Sequence, residues 1–131
     1  TSWFEYSPLK EMFNFAARSK SKVIVTTDHG TVQVKRPTKV FGEKEISSNL
    51  RYKTGRNMKY NYKDVFEINN PSDIHLPSVN VSSKFIFAKE DYFFTYPNNY
   101  NHYVNHFKET FQHGGISLEE MLIPIVTLSS K

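Results

Sequence analysis

Val23-Ile24-Val25-Thr26-Thr27-Asp28-His29-Gly30 is the stretch on which the reading of the fold turns. Consecutive apolar β-branched residues suit a pleated strand covered on both faces. In open α/β sheets, ligands gather just beyond the carboxyl ends of the strands, and Asp28 with His29 stands at that point. The carboxylate offers a hard anionic oxygen and the imidazole a nitrogen, a pairing that suits zinc or a similar divalent ion. Gly30 lets the backbone turn sharply or approach a ligand closely. The competing reading is a strand followed by an ordinary turn, because Asp and Gly are common turn residues.

A second motif near the other end bears on that choice: Phe111-Gln112-His113-Gly114-Gly115-Ile116-Ser117-Leu118-Glu119-Glu120-Met121-Leu122-Ile123-Pro124. His113 precedes two glycines, so its ring is presented from a loop with an unusually free backbone. Ser117 followed by Glu120 fits a capping box and predicts a short helix. Pro124 ends that helix or stands at the entry of a last strand, Ile123 to Leu128.

Working outward, the apolar residues from Thr1 to about Ser19 recur at helical spacing, with Ser7-Pro8 as cap and first-turn proline. Thr31 to Lys35 alternates and predicts a half-exposed strand. Ser83 to Ala88 and Tyr92 to Tyr96 read as a hairpin around Lys89-Glu90-Asp91. Tyr100 to Phe111 places Tyr100, Tyr103, Val104, Phe107 and Phe111 on one helical face. His102 and His106 share a face of that helix, on the flank of its apolar stripe, and read as surface histidines; His75 reads as a loop residue.

Arg36 to Ser78 is polar, punctuated by proline and glycine, and the most basic part of the chain. Tyr52, Tyr60 and Tyr62 are interleaved with its cations, which include Lys44. Such a mixture either keeps a loop solvated or binds a nucleic-acid backbone and stacks bases. Because the segment follows closely on the Asp-His-Gly motif, Arg51, Lys53, Arg56 and Lys59 are candidate contacts for an anionic substrate.

Composition bounds these readings. A chain of 131 residues makes one domain at most. The absence of cysteine excludes a disulfide scaffold and a thiolate zinc site, so any metal is held by His, Asp or Glu. The formal net charge of +4 suits an anionic ligand. No apolar run approaches the length of a membrane span, and no signal peptide is visible.

Taken together, Thr27-Asp28-His29-Gly30, Asn49-Leu50-Arg51-Tyr52-Lys53-Thr54-Gly55, Tyr96-Pro97-Asn98-Asn99-Tyr100 and the His113 motif resemble the alkaline phosphatase superfamily, and within it the PglZ domain. The same residues resemble the C-terminal part of PorX-type response regulators linked to the type IX secretion system. The resemblance runs from about Lys22 to Lys131.

That resemblance implies an α/β fold: the C-terminal half of an alkaline-phosphatase-like domain, with a basic irregular or β insertion at 36–78. It implies a two-metal zinc site, with Asp28 and His29 on one ion and His113 on its neighbour. The nucleophilic threonine and an Asp-x-x-x-His pair are expected upstream, and no Asp-x-x-x-His occurs in this chain. The implied function is half of a metal-dependent phosphodiesterase or phosphatase output domain, acting on oligonucleotide or cyclic-nucleotide phosphodiesters. The implied partners are the upstream half of the domain, a receiver domain and a second copy in a homodimer; the implied location is the cytoplasm. The alternative is a non-catalytic signalling output domain that binds a partner protein or nucleic acid.

Overall fold

Helix-forming residues open the chain, but proline divides them. The computed structural model describes residues 2–42, 48–77 and 83–130. Lys44 and Ser78 of the basic segment lie outside the described residues. Helix α1 spans Ser2–Tyr6 and α2 spans Leu9–Arg18, with Pro8 at the N-cap of α2, one position later than the cap expected at Ser7. Pro8 has no N–H and sterically blocks a continuous helix through the junction. The N–H of Leu9 donates to Ser7 Oγ at 3.3 Å, so Ser7 does act at the entry of α2.

The following elements are strands β1 (Val23–Thr26), β2 (Val32–Gln33), β3 (Arg36–Lys39), β4 (Tyr52–Gly55), β5 (Val65–Ile68), β6 (Lys84–Ala88) and β7 (Tyr92–Thr95), then helix α3 (Tyr100–Phe107), strand β8 (Phe111–Gln112), helix α4 (Leu118–Met121) and strand β9 (Ile125–Leu128). The chain folds as two units, one of Thr1–Asp28 with Ile123–Lys131 and one of His29–Leu122.

In the first unit, β1 and β9 form an antiparallel ribbon whose register runs from Val23↔Leu128 to Thr26↔Ile125. Thr26 Oγ1 donates to the carbonyl of Pro124 at 2.9 Å and closes its end. The expected burial of β1 is corrected: Ile24 is 63% exposed and Val25 41%. A two-stranded ribbon covers little of either face, so the apolar β-branched run sets the strand but not its burial.

The second unit holds the core. The strand β6 is central in a three-stranded antiparallel sheet ordered β4-β6-β5. Its Ile86 and Ala88 pack with Val40, Val65 and Phe94. A second cluster joins Val32, Val34 and Phe93, with Leu50 and Phe107 against it. The alternation read in Thr31 to Lys35 holds: Val32 and Val34 are buried while Lys35 is exposed. The basic segment contributes β3, β4, β5 and a 3-10 turn at Pro71–Ile74 between stretches of coil.

Two local expectations change. β6 and β7 are not a hairpin, because β7 pairs with β3 in parallel instead. The segment at Leu50-Arg51 intervenes: Ala88 N–H donates to the carbonyl of Arg51 and Phe94 N–H to that of Leu50, each at 2.8 Å. The helix predicted to Phe111 stops at Phe107. Glu109 takes a positive φ of 66°, its N–H donates to Val34 at 2.7 Å, and the chain leaves the helix to pair β8 with β2. Phe111 is consequently 67% exposed. The short helix after Ser117 forms as expected, with the Ser117 N–H donating to Glu120 Oε2 at 3.2 Å as the reciprocal half of a capping box. His75, His102 and His106 are exposed. Among the described residues, no helix is long and apolar enough to cross a membrane.

Candidate functional site

The glycine-flanked histidines meet. The rings of His29 and His113 stack within the second unit, with centroids 3.7 Å apart and planes inclined by 13°. His29 is half-buried and His113 exposed. The Nδ1 of His29 lies 2.9 Å from the carbonyl of Gly30.

What holds the two loops together is Glu120, which the sequence marks only as the partner in a helix cap. Its backbone carbonyl accepts the N–H of Gly30 at 3.0 Å, on the His29 side. Its carboxylate accepts the N–H of Gly115 at 2.9 Å and that of Ser117 at 3.2 Å, on the His113 side. One residue thereby ties both histidine loops to the start of α4. The glycines permit this approach. A Cβ on Gly30 would come within 2.0 Å of the Glu119 carbonyl oxygen, and one on Gly115 within 2.4 Å of the Glu120 carboxylate.

The same carboxylate is gripped by Arg51. Nε and Nη2 donate to Oε1 and Oε2, each at 2.9 Å, in the fork-to-fork geometry that suits guanidinium and carboxylate. The side chains are 0% and 1% exposed. Arg51 also donates to the carbonyls of Glu90, at 2.8 Å, and Tyr92. Burial pushes the Glu120 carboxyl up, but the hydrogen bonds and charge of Arg51 outweigh it and hold the group below its ordinary value. Asn49 completes the frame: its Oδ1 accepts the N–H groups of Arg51, at 2.7 Å, and Tyr52, at 3.1 Å. Its side chain also packs against Gly114, whose φ is +97°.

The basic residues divide by location. The expectation that Arg51 reaches an anionic substrate is corrected, because its donors are spent on Glu120 and two carbonyls inside the protein. Lys53 is likewise 1% exposed; its Nζ lies 3.4 Å from Tyr96 Oη and 4.6 Å from the centre of that ring. Both side chains belong to the interior because β4 is built into the sheet beside β6. Arg56 and Lys59 are exposed.

Asp28 belongs to the first unit; it is exposed and accepts a long bond from Thr27 Oγ1 at 3.4 Å. Among the described residues, no group of three or more His, Asp or Glu side chains is placed to hold a metal ion. The two imidazoles suit a zinc-type ion by their donor chemistry, but such a site commonly takes about four ligands.

A family model described as the BREX system PglZ alkaline phosphatase-like domain matches residues 5–128. No curated protein matches the chain.

Proposed function

This chain belongs to the PglZ family of alkaline phosphatase-like domains, and on that premise we propose that it is part of a metal-dependent phosphodiesterase or phosphatase. The observation that carries the reading is the stacking of His29 on His113, residues from opposite ends of the second unit. The two near-parallel rings stand 3.7 Å apart, a spacing of the same order as the separation of neighbouring ions in two-metal sites, about 3.5–4 Å. In this reading Asp28 and His29 serve one zinc and His113 the other, with further ligands from the upstream half of the domain. When bound, such ions would stabilise the entering and leaving oxygens of an in-line displacement at phosphorus.

The residues of this chain have their own tasks. Glu120 and Arg51 fix the separation of the histidine loops. Arg56 and Lys59 draw the anionic substrate towards the molecule, with oligonucleotide or cyclic-nucleotide phosphodiesters as the substrate class. The similarity to PorX-type regulators adds an upstream receiver domain and a cytoplasmic setting to the proposal.

The test is zinc-dependent hydrolysis of a chromogenic phosphodiester by the full domain, against its His29→Ala and His113→Ala variants. Each substitution is expected to lower turnover by about a hundredfold or more, with zinc affinity falling in parallel. Full activity in both variants would remove the imidazole pair from the chemistry.

A further inference from the structure

The basic, Tyr-rich segment builds a second concavity that the histidine pair does not use. It is an open cleft of about 680 Å³ lined in part by Lys39, Phe41, Lys59, Tyr60, Asp64 and Tyr100. Phe41 and Lys59 exchange both backbone hydrogen bonds, at 2.9 Å each, as an isolated antiparallel bridge. Residues directly opposite in such a pair project to the same side. Lys39, two positions before Phe41 in nearly extended chain, shares that side by the period of two. Two ammonium groups and one large ring therefore face the same space.

The cations differ in how they are held. Lys39 Nζ stands 4.4 Å from the centre of the Tyr100 ring, a cation–π contact that steadies the charge without neutralising it. Lys59 is exposed. The acid that lines the cleft, Asp64, directs its Oδ2 to the hydroxyl of Thr38 at 2.8 Å. The ring of Phe41 is 49% exposed, although a phenylalanine has no polar atom to gain from water. An exposed ring beside two cations is the combination that single-stranded nucleic-acid sites use, the ring for a base and the cations for the backbone.

We propose that this cleft is a nucleotide subsite: a base stacks on Phe41 while its phosphate lies between Lys39 and Lys59. The proposal rests on the phosphodiesterase reading above for its purpose, because a subsite outside the hydrolytic centre would hold the strand being cut. The same chemistry would accept a free nucleotide or one unit of a strand.

The experiment is fluorescence anisotropy of the full chain with a short fluorescein-labelled oligodeoxyadenylate in EDTA, so that binding is read without any metal centre. AMP and inorganic tripolyphosphate are used as competitors. Lys39→Gln with Lys59→Gln is expected to weaken the oligonucleotide about tenfold. The salt slope should fall by about 0.7, for the one phosphate held between the two lysines. Phe41→Ala is expected to weaken the oligonucleotide by about fivefold or more while leaving tripolyphosphate competition unchanged. AMP competing as well as the oligonucleotide identifies a free-nucleotide site, and weaker competition by AMP a strand site. Failure of the wild-type chain to bind overturns the proposal, as does an unaltered affinity and slope in the lysine variant, or equal loss of both ligands in Phe41→Ala. Retained binding by a full domain that lacks hydrolysis would overturn the catalytic reading alone.

Discussion

Arg51 and Glu120, 69 positions apart, form an ion pair sealed from solvent, with two hydrogen bonds of 2.9 Å between guanidinium and carboxylate. The pair does more than neutralise itself. Through Glu120 it reaches Gly115 on one histidine loop, and through the Glu120 carbonyl it reaches Gly30 on the other.

Removing one partner should be costly. Arg51→Met leaves the Glu120 carboxylate buried without its counter-charge, and the expected loss of stability is about 3–5 kcal/mol by urea unfolding. Replacing both residues with methionine should recover part of that loss. The pH dependence follows from the lowered pKa of Glu120. A carboxyl with a depressed folded pKa stabilises fully above its ordinary value of 4.5, and that contribution drains away as pH falls through the folded value. Glu120→Gln should flatten this acid limb, and an unchanged limb would assign it to other carboxylates.

Gly30→Ala places a methyl group against the backbone carbonyl of Glu119, which cannot rotate away as a side chain could. The expected cost is about 1–3 kcal/mol of stability, read from the urea midpoint. Because Gly30 follows His29 directly, zinc affinity in the full domain should fall beyond what the lost stability explains. A stable variant with unaltered zinc affinity would separate the turn from the metal site.

The isolated chain should be inert towards phosphodiesters even with saturating zinc. Its described residues bring two imidazoles together but no group of three ligands, so an ion is held weakly and its binding must also order loops. A chromogenic assay comparing the isolated chain with the full domain decides this. Comparable turnover would mean that the catalytic centre is complete within the 131 residues.

Lys53 carries a different signature. Burial pushes its ammonium down to about 8 from 10.5. Lys53→Met removes that desolvation cost and also the contact with Tyr96, so a net gain on the order of 1–2 kcal/mol is expected at neutral pH. The sign with pH is definite. Below about pH 8 the lysine is charged in both states and its burial penalty is complete. Between about 8 and 10.5 the folded lysine sheds its proton before the unfolded one, so wild-type stability gains on the variant. A gain in Lys53→Met that stays constant across this range would refute the shift.

Local chemistry in the sequence determined much of this protein. Ser117 and Glu120 specify the cap of α4, Pro8 the break between the first helices, and the alternation of Val32 and Val34 a half-buried strand. The glycine-flanked loops that carry His29 and His113 were also legible, because a turn needs only neighbouring residues to declare itself. Tertiary structure decided what those elements touch. Nothing near Arg51 in sequence marks it as interior, since a basic residue between Leu50 and Tyr52 reads equally well as solvated. Its burial follows from Glu120, whose carboxylate matches its charge and fork geometry from the far end of the unit. The exposure of β1 and the separation of β6 from β7 have the same origin. A strand's own residues encode its extended backbone and the side that is apolar, whereas its hydrogen-bonding neighbours and the layer over its face are supplied by segments remote in sequence.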